Sequence, residues 1–217
     1  MDELIKNLII TYPLVCFSLV VHEVAHAWTA YKLGDDTAKN EGRLTLNPKA
    51  HIDPITTLLL PLVLTLLQSP IVIGWAIPVP VNMYRLYKPK RDMGIVALAG
   101  PVSNFILAII GAFIIRLLSE FNGPSLDLSE GATTSLIYKF VFINLYLGAF
   151  NLFPILPLDG GRILVALLPA FWTTGLQKLQ PYGFIIVIFL LKTPIIEQFL
   201  TLILTPLILL VTFIMYY

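Results

Sequence analysis

Charge is scarce in this sequence. Asp, Glu, Lys and Arg together make up 12% of its 217 residues and hydrophobic residues 57%, whereas soluble domains carry roughly 25% charged residues. That argues against a soluble enzyme and against a disordered tail, because neither can be solvated so sparingly. A formal net charge of +1 excludes a basic nucleic-acid binder. Cysteine is nearly absent as well. The single Cys16 rules out an intramolecular disulfide and a cysteine-rich zinc site, so any metal must be held by histidine and carboxylate. The sequence shows no internal repeat, low-complexity stretch or appended soluble domain. The expectation is one polytopic membrane domain over residues 1–217.

Apolar runs occupy 4–30, 55–73, 94–118, 135–153, 182–191 and 195–217. About 20 apolar residues are needed to span a bilayer, which predicts an all-α bundle of about four to six transmembrane helices. The first run opens with Asp2 and Glu3 and has no small-residue cleavage site, so it reads as a span and not as a signal peptide. The 182–191 run is short unless its helix begins near Gly175. Lys32, Lys39, Arg43 and Lys49 lie in one loop, and Arg85, Lys88, Lys90 and Arg91 in another; the loop with Glu120, Asp127 and Glu130 has no Lys or Arg. The positive-inside rule puts both basic loops in the cytoplasm and the acidic loop outside. Both basic loops flank the 55–73 run, so a single crossing there would separate them. A re-entrant hairpin, turning at Pro61 or at Gln68-Ser69-Pro70, removes the conflict. The expectation is an outside N-terminus, with a re-entrant or short β segment between the first and third apolar runs. In residues 75–82, prolines forbid a helix; the segment suits either an edge strand that could hold an extended substrate or an ordinary connecting loop.

The first run contains His22-Glu23-Val24-Ala25-His26. Residues i and i+4 share a helix face, so two imidazoles one turn apart can grip one zinc ion. Glu23 beside them can take a proton from water. This is the HExxH pattern of zinc metalloproteases. Two core histidines bonded to neighbouring backbone would be the bland explanation, but ionisable groups inside an apolar span are expensive and usually functional. A hydrolytic zinc wants three protein ligands and an open position. Asp159 is the remaining carboxylate candidate, in the broken helix end Asn151-Leu152-Phe153-Pro154-Ile155-Leu156-Pro157-Leu158-Asp159-Gly160-Gly161-Arg162. An exposed turn aspartate paired with Arg162 explains that position equally well on spacing alone.

Three motifs, His22-Glu23-x-x-His26, Gly100-Pro101-x-x-Asn104 and Asn151-x-x-Pro154-x-x-Pro157-Leu158-Asp159-Gly160, resemble in content and order those of the site-2 protease family of intramembrane zinc metalloproteases. Residues 34–54 and 74–82 resemble a compact subgroup, without the PDZ or CBS domain that many members add. The resemblance implies one Zn2+ held by His22, His26 and Asp159, with Glu23 as catalytic base, an N-outside first core helix and a transmembrane protein as substrate. Asn151 and Asn104 are the candidates for the oxyanion donor, and Asn151 is favoured by the resemblance. Interhelical hydrogen bonding is the alternative for both. Gly100 and Pro101 read as residues of close helix approach. His51 reads as bonded to Asp53 or capping a turn, with a gate or auxiliary metal ligand as the alternative.

The expected activity is cleavage of membrane-embedded helices at a site opening to the cytoplasm, in a prokaryotic plasma membrane. The competing expectations are a membrane metal transporter using the same three ligands and a silent relative that binds membrane helices. Nothing in the sequence sets an oligomeric state.

Overall fold

The computed structural model describes residues 3–67, 74–122 and 132–216. Every regular element among them is helical, and none is a strand. α1 is Glu3–Lys32, α2 Thr37–Asn40, α3 Leu60–Leu66, α4 Pro89–Asn122, α5 Ala132–Asn151, α6 Asp159–Leu167, α7 Ala170–Leu179, α8 Gly183–Leu190 and α9 Pro194–Tyr216. Among the described residues, three stretches are long and apolar enough to cross a membrane: Ile9–Lys32, Pro89–Glu120 and Pro194–Tyr216. α5, at 20 residues, also has the length to span.

α4 is the central element, packing against α1, α5, α6 and α9. Small residues let it do so. Ala108 and Ala112 on α4 and Ala149 on α5 are fully buried. A Cβ on Gly111 would stand 2.6 Å from Val141, and one on Gly148 2.5 Å from Phe105. Membrane helices associate through this kind of close backbone approach, since lipid gives no hydrophobic drive between them. Leu145, Leu204, Val211 and Met215 complete the core between α4, α5 and α9.

The 55–73 run is divided. Asp53 caps a wide, π-type turn at Pro54–Leu59, accepting from the Ile55 and Thr56 amides, and α3 follows directly. The Thr56 and Ile55 amides hold the Asp53 carboxyl below the usual carboxylate range. Pro54–Leu66 forms one short apolar helix, on the order of 20 Å at 1.5 Å per residue, against roughly 30 Å of hydrocarbon. The chain then comes back to where it started: the Trp75 amide meets the Thr56 carbonyl at 3.4 Å, and the Thr57 hydroxyl donates to the Trp75 carbonyl at 2.6 Å. The turn expected at Gln68-Ser69-Pro70 lies outside the described residues, as does most of the acidic loop after α4.

Residues 75–82 run extended along α1, without a strand partner among the described residues. The Tyr12 hydroxyl lies 2.7 Å from the Thr57 carbonyl and 2.8 Å from that of Leu58, which sets the start of the segment at that level of α1. The Ile77 amide donates to the His51 carbonyl (2.7 Å), the Arg43 guanidinium to the Ile77 carbonyl (2.7 Å), and the Asn82 amide to Asp35 (2.6 Å) just past the end of α1. Gly34, at φ +106, makes the reversal that brings Asp35 there. The two basic loops meet at this end of α1: Arg85 pairs with Asp36, and the Tyr87 amide donates to the Leu33 carbonyl at 3.0 Å.

α7 and α8 are joined by a tight turn at Gln180–Tyr182, so the helical path runs from Ala170 to Leu190 with Pro181 at its break. This explains how the short 182–191 run gains length.

Candidate metal centre

α1 presents His22 and His26 on one face, one turn apart, and both are buried. The third component comes from α6. After α5 ends at Asn151, residues 152–158 form an irregular loop that folds back on the start of α6. Gly160 and Gly161 allow this, since a Cβ there would fall 2.1 Å from the Leu152 carbonyl oxygen and 2.3 Å from the Leu156 nitrogen. Asp159, the first residue of α6, is thereby carried into the bundle with its side chain 7% exposed. His22 Nε2 and His26 Nε2 lie 3.1 and 3.2 Å from Asp159 Oδ2, and 3.0 Å from each other.

The other nitrogen of each ring decides what these three atoms are. His26 Nδ1 sits 2.7 Å from the Val96 carbonyl, which can only accept. His22 Nδ1 sits 2.7 Å from Asn104 Oδ1, also an acceptor. In the neutral rings both Nδ1 atoms therefore carry the proton, and both Nε2 atoms turn a lone pair toward Asp159. Asp159 Oδ2 correspondingly has no hydrogen-bond donor among the described residues. Three buried lone-pair atoms facing one another repel unless a cation sits among them; one shared proton would satisfy a single pair. Separations of 3.0–3.2 Å approach those between ligands of a tetrahedral ion with bonds of about 2.0–2.1 Å. The residues fit zinc, and they form the group of potential metal ligands found among the described residues.

The surroundings complete the site. Asp159 Oδ1 faces Arg162 at 3.9 Å. Glu23 Oε2 accepts from the Val79 amide at 2.9 Å. Pro78 and Pro80 have no N–H, so Val79 carries the single amide donor of that triplet. Gly100 closes one side: a Cβ there would lie 2.4 Å from His26 Nε2 and 2.5 Å from His22 Nε2. Pro101 interrupts the helical bonding of the same turn. Gly100→Ala is expected to push both imidazoles out of place. Overpacking of this kind costs about 1–3 kcal/mol, or 5- to 150-fold, to be read as weakened zinc affinity in a competition titration against a chelator.

The other predicted residues divide. Asn104 is fully buried and supports His22. Its amide nitrogen is taken up by Asn144 Oδ1 at 2.9 Å and the Ser18 carbonyl at 3.5 Å, so both of its N–H groups are engaged. Asn151 donates to the Leu147 carbonyl one turn back (2.9 Å), which leaves it a second N–H. His51 is not in the cluster. It is buried, and its Nε2 lies 2.8 Å from the Thr45 carbonyl, within the loop. Sequence reasoning passed over Ser18, Asn144, the Val96 carbonyl and the Val79 amide. Of these, Ser18 and Asn144 carried a signal, as polar side chains in apolar helices.

A family model described as peptidase family M50 matches residues 122–192. YwhC of Bacillus subtilis (strain 168), provisionally named a zinc metalloprotease, is 40% identical over 193 residues, covering 89% of this chain and 83% of that protein. The chain belongs to peptidase family M50. Further relatives are Rip2 of Mycolicibacterium smegmatis, also provisionally named a zinc metalloprotease, at 32% identity over 83% of this chain and 66% of its own length, and the zinc metalloprotease MJ0392 of Methanocaldococcus jannaschii, at 28% over 73% of this chain and 34% of its own. No solved structure matches the chain. As an M50 peptidase with several long apolar helices it is a multi-pass membrane zinc metalloprotease.

Proposed function

We propose that this peptidase cuts peptide bonds inside membrane-embedded helical segments, as a single domain with one zinc held by His22, His26 and Asp159. The observation that carries this reading is the convergence of three buried lone-pair atoms, next in sequence to Glu23, inside a bundle of apolar helices. Bound zinc would supply a Lewis acid and make water nucleophilic near neutral pH. Glu23 takes the proton from the attacking water and returns it to the leaving amine. The Val79 amide holds Glu23 Oε2, so Oε1 is the oxygen left for the proton. Asn151, whose second N–H has no partner among the described residues, is the better oxyanion donor of the two asparagines.

The site opens toward the cytoplasm in this reading, and the 55–73 run re-enters without crossing. The junction of both basic loops at the end of α1 supports that orientation. A substrate segment must unwind to expose its carbonyls, and the extended 75–82 stretch beside Glu23 is where it would lie.

The test is cleavage of a transmembrane reporter by purified protein in lipid vesicles, with fragments read by mass spectrometry. New termini inside the apolar segment, abolished by a zinc chelator and restored by zinc, are the expected result. Zinc flux across the vesicle with no cleavage would replace the protease by a transporter.

A further inference from the structure

Between α1, α4 and α5 lies a buried polar chain that has no direct contact with the three converging atoms. Ser18, Asn104 and Asn144 are each 0% exposed. The Ser18 hydroxyl donates to the Leu14 carbonyl at 2.8 Å, so its oxygen faces Asn144 as an acceptor. Asn144 Nδ2 donates to that oxygen and to the Phe140 carbonyl, both at 2.9 Å. Both neighbours are acceptors, so the amide has only one orientation, with Oδ1 turned to Asn104. That oxygen takes the Asn104 amide (2.9 Å), which leaves Asn104 Oδ1 facing His22 Nδ1. Each link allows one polarity, and the direction is set by main-chain carbonyls that cannot donate.

We infer that Asn144, with Ser18 behind it, is a positioning residue for His22: it selects the Nδ1–H tautomer and so keeps the Nε2 lone pair turned to the metal position. This rests on the reading of His22 as a zinc ligand. An asparagine amide is nearly symmetric in shape, so nothing steric prevents Asn104 from turning over. Turned over, it would present N–H to His22 Nδ1 and drive the proton onto Nε2, where it blocks zinc. In Asn144→Leu the Asn104 amide keeps only its 3.5 Å contact with the Ser18 carbonyl against that reversal. His26 needs no such relay, because the Val96 carbonyl sets its tautomer directly.

The chain has three histidines, so 15N-histidine spectra of the full protein in micelles resolve them, assigned with His26→Ala and His51→Ala. In metal-free wild type, His22 is expected as the Nδ1–H form; finding it protonated on Nε2 overturns the inference without any variant of the relay. In Asn144→Leu, an Nε2–H population appears at His22 and zinc affinity falls about 10- to 100-fold, the usual effect of losing a ligand's supporting bond. An unchanged tautomer with unchanged affinity overturns it. Asn104→Asp added to Asn144→Leu gives His22 a partner that only accepts, so the Nδ1–H form and most of the affinity return. A packing defect would not be repaired by a buried charge, and a double variant no tighter than Asn144→Leu counts against the relay. Zinc binding unaffected by His22→Ala would remove the ligand reading alone, since the relay is judged on the metal-free tautomer.

Discussion

Glu23→Gln is expected to lower peptide-bond hydrolysis by about 10²- to 10⁴-fold, the usual contribution of a general acid–base group, while one zinc per chain is retained. The two side chains have nearly the same shape. A glutamine oxygen can still accept from the Val79 amide, as Glu23 Oε2 does at 2.9 Å, so the 75–82 segment keeps its place. What the amide cannot do is take a proton from water and pass it on. Because His22, His26 and Asp159 are untouched, metal content separates loss of the base from loss of the site. The measurement is cleavage of a transmembrane reporter alongside zinc analysis of the same sample. A variant that holds zinc and cuts at the wild-type rate would end the proposed mechanism.

Asp159→Ala acts on the metal itself. Two imidazoles remain, but the carboxylate oxygen 3.1 and 3.2 Å from them is gone. Zinc affinity should fall by more than the 10- to 100-fold typical of losing only a supporting bond. Ligand binding stabilises a fold by mass action, so the rise in melting temperature that zinc gives the wild type should vanish. His51→Ala is the matched control. Its ring contacts the Thr45 carbonyl and not the cluster, so it should lose about 0.5–1.5 kcal/mol of stability with that hydrogen bond, more where the space left by the buried ring does not close, and keep its zinc. Zinc bound as tightly without Asp159 as with it would break the ligand assignment.

The parts of this site that could be read from sequence are those whose partners lie close along the chain or within a known motif. His22 and His26 are one helical turn apart, and any helix through 4–30 puts them together. Asp159 could not be fixed by spacing, since a turn aspartate paired with Arg162 fitted as well; the resemblance pointed inward, and the glycines at 160 and 161 permit the fold-back that carries it there. Asn144 is 40 residues from Asn104 and 126 from Ser18, separations at which no periodicity exists to be seen. Gly100 was legible as a packing residue, but its place against the two imidazole nitrogens is a property of how α1 and α4 meet. The 75–82 stretch was legible as non-helical from its prolines. Its bonds go to His51, Arg43, Glu23 and Asp35 instead of a neighbouring strand, a pattern that no local rule encodes.

The two imidazoles also face different exposure to mutational drift. The support of His26 is a main-chain carbonyl at position 96, which every amino acid provides, so no substitution there deletes it. The support of His22 is spread over Asn104, Asn144 and Ser18 on three helices, and a codon change at any of them can reach the metal position. Lineages that keep all three motifs intact and still lose zinc would be expected to do so through His22, at Asn144 or Ser18, which lie outside those motifs.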